Sequence, residues 1–152
     1  MHGDSPKALL FNPNDSMSCE DIKLMIHGQG VFIFENRENR FPCAFTFYDV
    51  NQHDGICVEF TATNVKVNLL NDVPLNDPTN TTGLTNLAGA YYWFSLDSQN
   101  QKLYAGIGEA RLDNIIYKYE FPNKNKHIWE ENKQFLESLT HICMSKQSLS
   151  IH

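Results

Sequence analysis

The stretch from Gly89 to Phe121 alternates apolar and polar residues, and this alternation constrains the fold more than any other feature of the chain. Successive side chains of a β-strand point to opposite faces, so a period of two predicts strands rather than a helix. The first run covers residues 91–97. One face of this strand would carry Tyr92, Phe94 and Leu96, and the other face would carry Tyr91, Trp93, Ser95 and Asp97.

Two further strands are predicted directly after this run. Residues 98–101 are turn formers and have the length of a four-residue hairpin loop. Alternation resumes from Lys102 and again from Leu112 to Phe121, and Pro122 ends it because proline has no N–H for a ladder. Gly106 and Gly108 would weaken an ordinary strand, so they indicate a bulge or a close approach of two backbones.

Five shorter strand-like runs precede this stretch, with Gly, Asn and Asp turn residues between several of them. They cover residues 22–27, 31–35, 43–49, 56–62 and 65–69. After Pro122 the apolar spacing becomes helical over residues 128–144, which predicts one helix that begins near His127. We predict an all-β fold, an antiparallel β-sandwich or jelly roll of about eight strands with one C-terminal α-helix.

The length of 152 residues is typical of one domain. We expect an irregular N-terminal segment over residues 1–18, a β-sandwich domain over 19–122 and a C-terminal helix over 127–146. The final residues, 148–152, begin an alternation that breaks off abruptly. We therefore expect the helix to lead into a region beyond His152.

Charge and hydropathy exclude several classes of partner. The formal net charge is −6 and the basic residues are scattered, which argues against binding the phosphate backbone of nucleic acids. No apolar run approaches the roughly 20 residues of a membrane span, and the first residues do not resemble a signal peptide. The sequence does not indicate an oligomeric state.

The four cysteines are Cys19, Cys43, Cys57 and Cys143, and no two have the C-x-x-C spacing of a zinc site. Cys43 and Cys57 fall on neighbouring predicted strands. Cys43 shares its face with Phe45 and Phe47, whereas Cys57 lies on the face opposite Val58 and Phe60. Their thiols would therefore point apart, beyond the reach of a disulfide. We predict free thiols and a cytoplasmic location, with secretion as the alternative.

The loop over residues 71–87 is unusually long for a compact domain, and such loops are often functional or disordered. It contains a glycosylation sequon at Asn80, and a second sequon occurs at Asn14. Asp72 and Asp77 could contribute to a calcium site, but almost any acidic loop offers the same oxygen ligands. We predict no metal site and no cofactor.

The candidate ligand-binding residues lie in the central stretch. Alternation places Glu109 and Arg111 on one face of the last predicted strand, beside aromatic residues of the two preceding strands. Aromatic rings stack on the C–H faces of sugars, and charged groups bind their hydroxyls. The predicted ligand contacts are Tyr91, Trp93, Tyr104, Glu109 and Arg111. The alternative is a solvated sheet face with cross-strand ion pairs, with Trp93 in the core.

No catalytic residue is predicted, because no nucleophile motif, Cys/His pairing or glycine-rich phosphate loop is present. The leading hypothesis is a non-catalytic module that binds a carbohydrate, a small polar ligand or a protein partner. One alternative is an accessory domain of a larger enzyme with catalytic residues beyond His152. A structural or coat protein is the other alternative.

One family resemblance agrees with this hypothesis. The aromatic strand with Trp93, the turn after Asp97 and the run Leu103–Glu109 (LYAGIGE) resemble the second half of the farnesoic acid O-methyltransferase-type domain, over about residues 58–122. The resemblance implies a lectin-like β-sandwich that acts as a binding module. The Gly-Gly-Trp and Asn-Thr signature of the family's first half is absent from this chain. The resemblance therefore implies a fold but no ligand site.

Overall fold

The computed structural model describes residues 7–11, 19–21, 29–35, 43–51, 53–61, 64–75 and 91–144. These ranges contain ten strands and one α-helix, α1. The strands are β1 (Lys7–Phe11), β2 (Cys19–Asp21), β3 (Gln29–Glu35), β4 (Cys43–Tyr48), β5 (Gly55–Phe60), β6 (Val65–Leu69), β7 (Tyr91–Asp97), β8 (Lys102–Ile107), β9 (Ile115–Glu120) and β10 (His141–Met144). Helix α1 spans Lys126–Glu137, and a 3₁₀ turn, Leu112–Asn114, precedes β9.

The strands form two five-stranded sheets. Sheet I has the order β1-β3-β7-β8-β9, and sheet II has the order β2-β10-β4-β5-β6. Every pairing is antiparallel except that of β1 with β3, which is parallel. The fold is therefore an all-β sandwich with one helix near the end of the described chain, as the alternation predicts.

The core lies between the two sheets and is built from alternate residues of the strands. Tyr92, Phe94 and Leu96 of β7 are buried, as the alternation predicts, and they meet residues of sheet II. Phe94 stacks on Phe47 with ring centroids 5.7 Å apart, and Phe45 meets Phe94 edge-on. Aromatic pairs in such geometries contribute about 0.5–1.5 kcal/mol each beyond the burial of their surface.

Helix α1 lies beside the turn that joins β4 to β5 and is hydrogen-bonded to the turn that joins β7 to β8. The side chain of Asn125 caps its N-terminus by accepting a hydrogen bond from the Ile128 N–H at 2.9 Å. Leu136 inserts into the core between the sheets. The helix thus connects the edge of sheet I, through β9, to sheet II, through β10.

The helix is shorter than its sequence pattern predicts. It ends at Glu137, and Ser138 turns the chain by donating its hydroxyl to the Phe135 carbonyl at 2.6 Å. Thr140 N–H then donates to the Tyr48 carbonyl at 3.0 Å, which begins the pairing of β10 with β4. Ile142 is buried, but it lies on strand β10. Its three-residue spacing from the buried Leu139 therefore does not reflect a helix.

The N-terminal part of the chain also differs from the expectation. Residues 7–11 form β1 within the segment that we expected to be irregular, because their apolar run Ala8–Phe11 pairs with β3. Residues 19–21 form β2 at the edge of sheet II. The strand predicted over 22–27, and the sequons at Asn14 and Asn80, lie outside the described residues.

The prediction of free thiols is confirmed for one cysteine and wrong for another. Cys57 is free, so it does not bond to Cys43. Cys143, however, is disulfide-bonded. The sequence reasoning missed this bond because it placed Cys143 on a helix, whereas it lies on β10 within sheet II. Within the described ranges, no helix has both the length and the apolar character to cross a membrane.

Candidate functional site

The outer face of sheet I points away from the core. It holds three of the five predicted ligand contacts, namely Tyr91, Trp93 and Tyr104. The strand register places Trp93 of β7 between Ile33 of β3 and Gly106 of β8. In the next row along β7, Ser95 lies between Val31 and Tyr104. Directly paired residues project to the same face of a sheet, so Trp93, Ser95 and Tyr104 share this face, as predicted.

Trp93 is too deeply buried to present its ring to a ligand, because only 4% of its surface is exposed. Its indole lies directly against Gly106, where a side chain would overlap the ring. The Trp93 Nε1–H has no hydrogen-bond partner within the part of the chain that the structure describes. The expectation that Trp93 forms an open stacking surface is therefore wrong, and the core-like alternative describes its burial.

Glu109 and Arg111 do not lie on a strand, contrary to the prediction. The register between β8 and β9 shifts between Ala105 and Gly106. The two strands are then connected by residues 108–114, which we call the 108–114 loop. Gly108 permits this turn because its φ of 88° is in the left-handed region that favours glycine. The bulge that the two glycines indicate is thus present, and it removes Glu109 and Arg111 from the sheet face.

The loop still brings these two residues close to Tyr91. The Gly108 N–H donates to the Tyr91 carbonyl at 2.7 Å, which fixes the loop to the start of β7. Arg111 Nε and Glu109 Oε2 are 3.8 Å apart, with side chains 61% and 80% exposed. An ion pair this exposed adds little stability to the fold. Both charged groups are in contact with solvent. Tyr91 is itself 46% exposed.

A cavity of about 190 Å³ opens on the same face of sheet I, near the other end of β7. Tyr104 lines it, together with residues of β3 and β7. The Gln29 side-chain amide donates to Asp97 Oδ1 at 3.1 Å, and Asp97 also accepts from the backbone and side chain of Asn100. The complete lining is Gln29, Gly30, Val31, Ser95, Leu96, Asp97 and Tyr104.

The contribution of β3 to this cavity was not predicted. Gln29 falls between the predicted strands 22–27 and 31–35, whereas it is the first residue of β3 and pairs with Asp97. The pairing of β3 with β7 joins residues that are far apart along the chain, and no local pattern signals it. The alternation of β7 did place Ser95 and Asp97 on the correct face.

Two other cavities, of about 180 and 300 Å³, lie beside helix α1. Asp54 and Phe135 line both of them. The backbone N–H groups of His53 and Asp54 both donate to Asp49 Oδ1, which is typical of a turn. Over the described ranges, no three His, Cys, Asp or Glu side chains are grouped to hold a metal ion.

No protein-family model, curated protein or solved structure matches this chain. The resemblance to the farnesoic acid O-methyltransferase-type domain therefore stays a prediction. The fold defines the chain as an all-β sandwich, and the outer face of sheet I carries its candidate binding groups.

Proposed function

We propose that this chain is a non-catalytic binding module for a carbohydrate or a small polar ligand, and that the cavity beside Tyr104 receives the ligand. The observation that supports the proposal is the combination of groups in this cavity. A half-buried tyrosine ring lies next to a serine hydroxyl and a hydrogen-bonded amide–carboxylate pair. These groups match a ring with an apolar C–H face and hydroxyls at its edge.

Hydrogen-bonding capacity remains in the cavity after the internal bonds are counted. A carboxylate offers about four acceptor positions, and among the described residues Asp97 accepts three hydrogen bonds, from Gln29 and Asn100. The Gln29 amide has a second N–H and a carbonyl oxygen besides the N–H given to Asp97. One ligand hydroxyl could therefore donate to Asp97 while a second bonds Gln29, which would orient a sugar ring against Tyr104.

The size of the cavity favours a small ligand at this point of the surface. About 190 Å³ is below the roughly 300 Å³ at which pockets for drug-sized ligands begin. Tyr91 lies four positions before Ser95, about 13 Å along a strand. A single sugar would therefore contact Tyr104 alone, whereas an elongated ligand along β7 would also reach Tyr91, Glu109 and Arg111.

A glycan array followed by isothermal titration calorimetry of the bound sugars tests this proposal. Tyr104→Ala should weaken binding by about 30-fold, which corresponds to about 2 kcal/mol for an aromatic anchor. Tyr48→Ala is the matched control, because Tyr48 is a half-buried tyrosine on sheet II, away from the cavity. Its affinity should equal that of the wild type.

Two results would overturn the proposal. One is that no mono- or oligosaccharide on the array, and no polar metabolite in a parallel thermal-shift screen, binds the folded protein. The other is that the Tyr104 and Tyr48 variants bind a sugar equally well, which would place the site elsewhere. Comparing a monosaccharide with its longer oligomers then tests the role of Arg111. Arg111→Ala should weaken binding of the oligomer only.

A further inference from the structure

The disulfide of Cys143 has only two candidate partners. The chain contains four cysteines, and Cys57 is free, which leaves Cys19 and Cys43. Cys143 is disulfide-bonded and lies on β10, between β2 and β4 in sheet II. The backbone register of these strands discriminates between the two candidates, because a disulfide requires Cα atoms about 4.4–6.8 Å apart.

Cys19 satisfies this distance and Cys43 does not. Cys143 pairs directly with Cys19 across the antiparallel β2–β10 ladder, where paired Cα atoms are about 4.5–5.5 Å apart. On the other side, Cys143 pairs with Thr46 of β4. Cys43 is three residues before Thr46 on β4, so the two Cα atoms are about 10 Å apart at 3.4 Å per residue. Its Cα therefore lies beyond the range of a disulfide with Cys143.

We propose that Cys19 and Cys143 form the disulfide, and that the bond fastens the edge strand β2 to sheet II. Two thiols lose two protons and two electrons when the S–S bond forms. A disulfide of small molecules or of an oxidoreductase accepts the electrons by thiol–disulfide exchange and is released as two thiols.

The position of β2 explains what the bond contributes. β2 has three residues and lies at the edge of sheet II, where β10 is its neighbour. So short a ladder holds an edge strand weakly, and an unpaired edge of β10 would be exposed without it. The bond also closes a loop that includes most of the domain, and long loops gain the most from closure.

This disulfide removes the basis for expecting a cytoplasmic location. That expectation rested on free thiols, whereas persistent structural disulfides occur mainly in oxidising compartments. A bond that joins residue 19 to residue 143 would connect the N-terminal part of the sandwich to its last described strand. This proposal is independent of the ligand-binding proposal, because it concerns sheet II alone.

Peptide mapping without reduction tests the pairing directly. The protein is purified without reductant, its free thiols are blocked with N-ethylmaleimide at acidic pH, and it is digested with trypsin. Cleavage after Lys and Arg leaves Cys19 on peptide 8–23, Cys143 on peptide 134–146, and Cys43 and Cys57 together on peptide 41–66. We expect mass spectrometry to find 8–23 linked to 134–146. A link from 134–146 to 41–66, or a blocked Cys143, would overturn the proposal.

Thermal unfolding of serine variants tests the role of the bond. Cys19→Ser and Cys143→Ser should each lower Tm by about 5–15 °C, and the double variant should lose no more than either single one. Dithiothreitol should lower Tm of the wild type and leave the variants unchanged. Cys57→Ser is the control and should retain the response to dithiothreitol. A wild-type Tm that does not respond to reduction would contradict the proposed fastening of β2.

Discussion

The indole ring of Trp93 lies against the backbone of Gly106, its partner in the β7–β8 register. A β-carbon at Gly106 would overlap Cε2 and Cζ2 of Trp93 and also the carbonyl oxygen of Asn114. The register of β8 with β9 shifts at the same glycine. One residue without a side chain therefore accommodates both the buried tryptophan and the start of the bulge.

We predict that Gly106→Ala destabilises the protein by about 1–3 kcal/mol, the usual range for overpacking. The overlapping atoms belong to a rigid ring and a backbone carbonyl, so neither can move aside without disturbing its strand. Urea unfolding followed by circular dichroism measures the change. In a Trp93→Leu background the cost should be smaller, because only the Asn114 contact remains in full. An equal cost in both backgrounds would show that the ring does not require the glycine.

Trp93→Ala should cost about 3–5 kcal/mol of unfolding free energy, as expected for a buried tryptophan. Its fluorescence, recorded in a Trp129→Phe variant, should be blue-shifted and resistant to acrylamide because the ring is shielded from water. A red-shifted emission that acrylamide quenches readily would show that the ring is open to solvent. That result would restore Trp93 as a candidate stacking surface.

Local alternation predicted the hairpin of β7 and β8 well, since a period of two depends only on neighbouring residues. It placed Tyr92, Phe94 and Leu96 on the buried face, which the structure confirms. It could not predict that Trp93 on the other face is buried too. Gly106 leaves room for the indole across the hairpin, and alternation within one strand does not report this contact.

Pairings between distant parts of the chain were beyond the sequence pattern. β1 adds to β3 in parallel, and β10 inserts between β2 and β4, so both depend on register that no short motif encodes. The candidate site shows the same limit. Tyr104 was among the predicted ligand contacts, whereas Gln29 was not. Gln29 reaches the cavity only because β3 pairs with β7. Glu109 and Arg111 were placed on a strand because the bulge was not fixed in position.

Gln101 connects the β7–β8 turn to helix α1, and its removal should weaken that connection. Only 1% of its surface is exposed. Its amide donates to the Trp129 carbonyl at 2.7 Å, and its carbonyl accepts from Asn132 at 3.0 Å. Gln101→Ala should therefore cost about 1–3 kcal/mol, because both of these half-buried partners lose a hydrogen bond. Chemical denaturation measures this cost.

Gln99→Ala is the matched control for Gln101, because Gln99 is exposed in the same turn. Its effect should stay within about 0.5 kcal/mol. Gln101 has a positive φ of 54°, which is unfavourable for any residue with a β-carbon. Alanine keeps the β-carbon and therefore the same backbone strain. The difference between the two variants thus reports the side-chain hydrogen bonds of Gln101. Equal effects of the two substitutions would mean that the bonds to the helix contribute nothing.

Tyr119 should make the stability of the protein fall at alkaline pH. Its ring meets Phe121 edge-on with centroids 5.0 Å apart, and burial raises the pKa of Tyr119 above its ordinary value of 10.0. The folded state therefore holds this proton more tightly than the unfolded state. The stabilisation is fully present below the unfolded pKa and is lost as pH rises through the folded pKa. Tyr119→Phe should accordingly lose less Tm than the wild type between about pH 9 and about pH 11.

Tyr91→Phe, on an exposed tyrosine, is the control and should follow the wild type. Identical curves for the wild type and Tyr119→Phe would show that burial of this hydroxyl does not couple to folding.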